Sequence, residues 1–302
     1  MSALRGRRLL VYLFLCAVWG STWMVIKIGL RDLPPLRFAG FRMALACALL
    51  APVALSRRPR LSRREILFVA FCGFLQIGLS YALVFTASQW IESGLTAILF
   101  GSFPIWVGLL AHFFLPEEPL TPRALAAAAL GLSGVVVIEA PAVGRLFSSS
   151  GGRLLAGGVL VTGAAVVSAC ANTLTKKTLS RVPPFVNVWG QTLIGAAFLF
   201  LCAALLERGA TARWTPSALG ALAYLALFGT ALSFAGLFWL IPKVPVAVIG
   251  TIPLVDTFIA VILGSLILGE RLSPRILAGG ILILAGVLLS ASGRRPSGLA
   301  AG

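Results

Sequence analysis

Charge is scarce in this sequence. Asp, Glu, Lys and Arg together make up 11% of the 302 residues, and only nine residues are acidic. A water-soluble domain carries roughly 25% charged residues, because its surface must meet water, so a soluble globule is excluded. Histidine occurs only as His112, which rules out a histidine-rich metal centre. The five cysteines (Cys16, Cys47, Cys72, Cys170, Cys202) all lie in apolar runs and form no CxxC pair. Thiols so placed behave as small hydrophobes, and no disulfide framework or metal site follows. No GxxxxGK[ST] phosphate loop is present, so ATP does not drive the chain directly. Ser, His and acidic residues form no triad or metalloprotease motif. No cofactor is implied.

What the chain has instead is apolar length. Hydrophobic residues reach 59% and the mean hydropathy is +1.00. Crossing the hydrocarbon core of a bilayer takes about 20 apolar residues as a helix. Backbone polar groups find no water there, so only helices or closed barrels are possible. Long apolar blocks are present and alternating ten-residue segments are not, which predicts an all-α membrane protein. Ten transmembrane helices are expected at 9–30, 36–56, 66–88, 93–115, 122–139, 154–175, 185–206, 217–240, 246–268 and 275–292. Arg5, Arg7 and Arg8 precede the first run as in a signal peptide. That run is too long for a signal h-region and no cleavage site follows, so it reads as a retained helix.

The net charge of +16 would suggest nucleic acid in a soluble protein. Here the basic residues sit mostly in short connections between apolar runs, where they orient membrane proteins. With the N-terminus inside, the inner connections hold fifteen Lys and Arg against nine outside, Arg42 lying within the second span and counted on neither side. Both termini are therefore expected in the cytoplasm, with the chain in the cell (inner) membrane.

The sequence repeats itself. Glu118-Pro119-Leu120-Thr121-Pro122-Arg123 recurs as Glu270-Arg271-Leu272-Ser273-Pro274-Arg275, and Gly134-Val135 as Gly286-Val287. Leu79-Ser80-Tyr81-Ala82 recurs as Leu232-Ser233-Phe234-Ala235, Pro34-Pro35 as Pro183-Pro184, and Pro104 as Pro253. Each half then holds five helices. Since five is odd, the second half enters the membrane in the opposite direction, and an inverted repeat places a solute site near the midplane between halves. The same alignment sets Trp19, Trp23 and Lys27 against Ser168, Asn172 and Lys176, each trio on one helix face. These two faces are the expected lining of a central cavity.

Asp256 is the most informative single residue. A carboxylate at bilayer depth costs at least about 2.5 kcal/mol unless it meets a polar interior, so it is read first as functional. It is the candidate coupling group, for solute or proton; a structural bond to a hydroxyl or to Lys243 is the alternative. Lys27 and Lys176 are candidates for a solute carboxylate or phosphate, or else snorkel to the interface. Arg42 lies deeper in the second span than snorkelling needs, and could pair with a carboxylate or a helix carbonyl end. Trp23 and Tyr81 are expected in the cavity, and Gln76, Thr96 and Asn172 could add directional bonds or serve as interhelical glue. Pro104 and Pro253 are candidate gating points, since proline loosens the helical ladder.

Trp19-Gly20-Ser21-Thr22 followed by Lys27 resembles the opening signature of the EamA-type transporters of the drug/metabolite superfamily. Pro34-Pro35 with Arg42, Pro104, Glu118-x-Leu120 and the duplicated Glu270-x-Leu272 fit the same family. The resemblance covers nearly the whole chain, as repeats at 9–138 and 154–292 joined by a loop at 139–153. It implies a ten-helix bundle of inverted repeats around a central cavity and a carrier that exports amino acids, amphipathic metabolites or drugs. Coupling to an ion gradient is implied as well. The second repeat departs from the signature at Ser168-Ala169-Cys170-Ala171. The expected partners are a small-molecule solute and the lipid bilayer, without nucleic acid. The alternative class is a membrane-embedded enzyme such as a lipid-modifying transferase, for which the loops offer only isolated Glu92, Glu117, Glu118 and Glu270.

Overall fold

The computed structural model describes residues 4–56, 60–90, 96, 99–118, 120–138, 151–259 and 274–291. Glu92, the first four residues of the Glu270 motif (270–273), and the C-terminal part of the expected ninth span lie outside these residues, as does the Trp23 side chain. Every regular element among the described residues is helical. Six helices are long and apolar enough to cross a membrane: α1 (Arg7–Leu30), α2 (Pro35–Ser56), α3 (Arg63–Ala87), α6 (Gly151–Leu179), α7 (Pro184–Leu206) and α8 (Pro216–Lys243). Four shorter apolar helices accompany them: α4 (Phe103–Phe114), α5 (Pro122–Ile138), α9 (Val246–Ile259) and α10 (Pro274–Ala291). Many large apolar side chains face outward, Phe113 and Leu206 among them at over 70% exposure. A surface of that kind requires lipid as solvent.

Local chemistry sets the helix starts. Proline opens α2, α5, α7, α8 and α10, at the position where a missing N–H is an orphan anyway. α3 begins with a reciprocal cap, Glu65 N–H donating to Ser62 Oγ at 3.2 Å and Ser62 N–H to Glu65 Oε2 at 2.8 Å. α2 takes its cap from another helix end: Leu36 and Arg37 N–H donate to the Glu207 carboxylate at 2.6 and 2.9 Å.

The internal repeat is written into the backbone. α3 contains a π-helical turn at Phe74–Leu79 and α8 one at Leu227–Leu232, at equivalent places in the two halves. In front of α4 the chain turns at Ser102, with Ser102 N–H donating to Leu99 O at 3.2 Å and Ser102 Oγ to the same carbonyl at 2.6 Å. α9 turns at Thr251 in the same way, Thr251 N–H donating to Val248 O at 3.2 Å and Thr251 Oγ1 to it at 2.7 Å. Pro104 and Pro253 each follow such a turn by two residues. Pro104 therefore occupies the first turn of α4 rather than the helix interior that the sequence predicted for it.

Repeat partners also pack on each other, α2 on α7 and α5 on α10. The second pair is brought close by glycine: a Cβ on Gly286 would stand 2.7 Å from Ala127 O, and one on Gly134 2.8 Å from Ile283 Cγ1.

Contacts between helix ends fall into two groups. Arg213 pairs with Asp32 at 2.9 Å and Thr215 Oγ1 donates to Asp32 at 2.7 Å. With the Glu207 cap of α2, they tie the α1–α2 connection to the α7–α8 connection. In the other group Lys176 forms an ion pair with Glu118 and donates to Val244 O, while Val246 N–H donates to Glu118 Oε2 at 2.7 Å. Arg8 lies within electrostatic reach of Lys243, which adds the start of α1 to this second group. α6 thus ends where α1 begins.

Candidate functional site

Between the helices lies a cavity of about 130 Å³, bordered by α1, α2, α3, α6, α8, α9 and the turn before α4. At a water's share of roughly 30 Å³ of liquid, that volume holds about four waters. The backbone irregularities all meet here. Gln76 comes from the π turn of α3, Phe100 and Phe103 flank the Ser102 turn, and Ile249, Ile252, Pro253 and Asp256 flank the Thr251 turn. The π turn of α8 lies directly behind Arg42.

One wall is an ordered polar chain. Asn172 Nδ2 donates to Gln76 Oε1 at 3.0 Å and to Ser168 O at 2.8 Å. Gln76 Nε2 donates to Ser168 Oγ at 3.1 Å, and Ser168 Oγ meets Ser80 Oγ at 3.2 Å. Asn172 Oδ1 is left buried and unpartnered among the described residues.

The other wall centres on Arg42, which is 2% exposed. Arg42 Nε donates to Thr230 Oγ1 at 2.9 Å and Nη2 to Gly229 O at 3.0 Å. Trp19 Nε1 donates to the same carbonyl at 3.1 Å. A π turn runs its backbone bonds to i+5 and widens the helix, which leaves Gly229 O able to serve both side chains. Glycine gives room there, since a Cβ would stand 3.0 Å from Arg42 Nη2 and 3.1 Å from Thr22 Cγ2 and press on both. The guanidinium lies 5.2 Å from the Tyr81 ring centroid, close enough for a cation–π contact.

Aromatic rings fill the remainder. Phe100 and Phe103 stack at 6.0 Å, Tyr81 stacks on Phe85 at 5.9 Å, and Trp19 meets Phe234 edge-on at 5.6 Å. Asp256 borders the cavity at 7% exposure. Its field reaches Tyr12 and Cys16 on α1, and Tyr12 in turn bonds Thr251 at 2.8 Å.

Of the residues singled out from sequence, Trp19, Gln76, Tyr81, Asn172, Pro253 and Asp256 all border this cavity. Four do not. Lys27 is exposed on α1. Lys176 is held at the helix end by Glu118 and Val244. Thr96 is buried at 1% exposure without bordering the cavity. Pro104 packs its Cα against Gly250. Sequence reasoning assigned no place to Thr22, Ser80, Phe85 or Phe234 in the lining. The repeated Leu-Ser-aromatic-Ala element held the signal for Ser80 and Phe234, because it marks the segment just after each π turn. No group of three or more His, Cys, Asp or Glu able to hold a metal occurs among the described residues.

A family model described as "EamA-like transporter family" matches residues 7–140 and again 155–292. The chain is 27% identical to the uncharacterized transporter YoaV of Bacillus subtilis, over 90% of this chain and 92% of that protein. It is 29% identical to a probable amino-acid metabolite efflux pump of Salmonella typhimurium, covering 94% of each. One crystal structure shares the fold with a TM-score of 0.79 at 20% identity, covering 96% of both chains.

Proposed function

Because the chain belongs to the EamA-like transporter family, we propose that it is a secondary carrier that moves small amphipathic solutes through the central cavity by alternating access. It is a multi-pass membrane transporter, and its relatives are named as transporters rather than enzymes. In our reading the six long and four short helices make ten crossings, with the second five inverted relative to the first and both termini in the cytoplasm. Export of amino-acid-like metabolites is the direction and class we favour, in keeping with the name of the Salmonella relative.

One observation carries this reading: two pairs of backbone irregularities, each pair related by the internal repeat, converge on one cavity. Non-regular backbone at membrane depth is tolerated only where protein or an aqueous cavity satisfies it. Discontinuous helices at a repeat interface are where carriers build their sites. Two similar, opposed halves supply nearly equivalent states open to either side. The cavity suits a small solute with an apolar body for the aromatic rings and polar ends for Arg42, Asn172 and Asp256. Asp256 is assigned to coupling, and the turns before Pro104 and Pro253 to gating.

The test is reconstitution. Purified protein in liposomes should accumulate labelled apolar amino acids or amphipathic amines against an imposed proton gradient. Flux no faster than in protein-free liposomes for the whole panel rejects the carrier.

A further inference from the structure

We propose that Arg42 is the residue that recognises a carboxylate on the solute, and that the Leu227–Leu232 π turn is what presents it. The assignment takes the cavity as the solute site, and so rests on the carrier reading.

Arg42 is a cation in the interior of α2, nearly fully buried. Among the described residues no carboxylate is found within 4 Å of it, and the pairs Arg37–Glu207, Lys176–Glu118 and Arg213–Asp32 lie elsewhere. A buried charge is normally paired, and a charge at bilayer depth marks a solute or ion path by default. A guanidinium has five N–H donors in a rigid fork. Two of them are spent on Thr230 Oγ1 and Gly229 O. Those bonds and the Tyr81 ring fix the plane of the guanidinium, and along its Nη1–Nη2 edge one N–H on each nitrogen is left without an acceptor among the described residues. A preoriented edge with two donors is the geometry that a carboxylate fits bidentately.

Across the cavity the complementary pole is an acceptor. Both protons of Asn172 Nδ2 are committed, to Gln76 Oε1 and Ser168 O. Reversing the amide would set Oδ1 against the Ser168 carbonyl, so the network fixes which atom is which. Oδ1 is thereby left without a donor and out of reach of a water-sized probe in this state, so a solute N–H meets it only as the lining rearranges. The pseudo-equivalent of Arg42 in the second half, 149 residues on, is the neutral Gln191. Gln191 does not border the cavity, whose one guanidinium among the described residues is that of Arg42, so a solute binds with its anionic end toward α2 and α8.

The experiment uses three probes sharing one apolar body: L-leucine, 4-methylpentanoate without the amine, and isoamylamine without the carboxylate. Binding to the purified full-length protein in detergent is read by calorimetry. Wild type should bind both carboxylates, and isoamylamine more weakly than leucine. Arg42→Gln should lose roughly ten- to a hundredfold for the two carboxylates, the range set by a charge-assisted hydrogen bond, and nothing for isoamylamine. Asn172→Leu should weaken leucine and isoamylamine while sparing 4-methylpentanoate. Arg42→Lys keeps the charge without the fork and should give an intermediate loss, which serves if the glutamine variant does not fold. Wild type binding no carboxylate probe, or a folded Arg42 variant binding all three as wild type does, overturns the proposal. Binding is read without flux, so absent transport with intact probe selectivity would sink the carrier reading and leave Arg42 standing.

Discussion

At the scale of single residues, two opposite charges at the same cavity do different work. Arg42 is locked by neighbours on α8 and can only bind. Asp256 sits on a helix interrupted at Thr251, where small backbone changes alter its surroundings, and a carboxylate so placed is suited to exchange a proton between states. Asp256→Asn keeps the size and removes the titratable charge. Solute exchange across liposomes at equal pH should persist within about threefold, while uptake driven by a pH gradient should fall at least about tenfold, a change of roughly 1.4 kcal/mol in coupling. Ordinary gradient-driven uptake in that variant would strip Asp256 of the role. Much of this site was legible beforehand because a polar residue in an apolar run is conspicuous: Gln76, Asn172 and Asp256 each announce themselves. Lys27 and Lys176 announced themselves equally and lie elsewhere. Their long stems let the charge leave the helix face that their Cα positions mark, and a partner such as Glu118, distant in sequence, cannot be read from helical spacing.

At the scale of elements, the helices were legible and their defects were not. Apolar length and Pro-initiated starts give α2, α7 and α8 within a few residues. Nothing in Phe74–Leu79 or Leu227–Leu232 distinguishes a π turn from an α turn, since one polar residue in an apolar run suits either; tertiary contact decides, with Ser233 Oγ donating back five residues to Phe228 O at 2.6 Å and Arg42 drawing on Gly229. The prolines were visible, but their consequence differs from a kink within a continuous helix. Pro253 follows a turn in which Thr251 bonds back to Val248, so α9 is divided rather than bent, and its lack of an N–H fixes the division. Pro253→Ala removes that obstacle and should let α9 run on through Thr251. The expected result is a higher melting temperature in detergent, from the i to i−4 hydrogen bond that an N–H at 253 would add, about 1 kcal/mol. Flux should slow about tenfold while leucine binding is retained. A variant that melts lower, or that carries solute at the wild-type rate, would show that the division is not a hinge.

At the scale of the whole molecule, the two ends of the bundle are fastened unequally. Around Asp32 and Glu207 the bonds join α1–α2 to α7–α8, and include a helix cap that is independent of any conformational change in α9. Around Glu118 they converge on one residue: its carboxylate holds Lys176 at the end of α6 and the Val246 N–H at the start of α9. α6 carries Asn172 and α9 carries Asp256, so this carboxylate binds together the two helices that would have to part to open the cavity toward that end. Both partners are partly buried, so removing the charge leaves an unpaired ammonium and an orphan helix N–H, worth more than the 0–1 kcal/mol of an exposed pair. Glu118→Gln should therefore shift the population toward the state open at the Lys176 end. In a background with the five native cysteines replaced, a cysteine at Ala169 or Leu174 should react faster with a membrane-impermeant maleimide from that side, by roughly fivefold for each kcal/mol of shift. Reaction from the Asp32 side should slow in step, because an alternating carrier cannot open both ends at once. Acceleration from both sides would mean that Glu118 merely holds the bundle together, and no change from either side would mean that it holds nothing that moves.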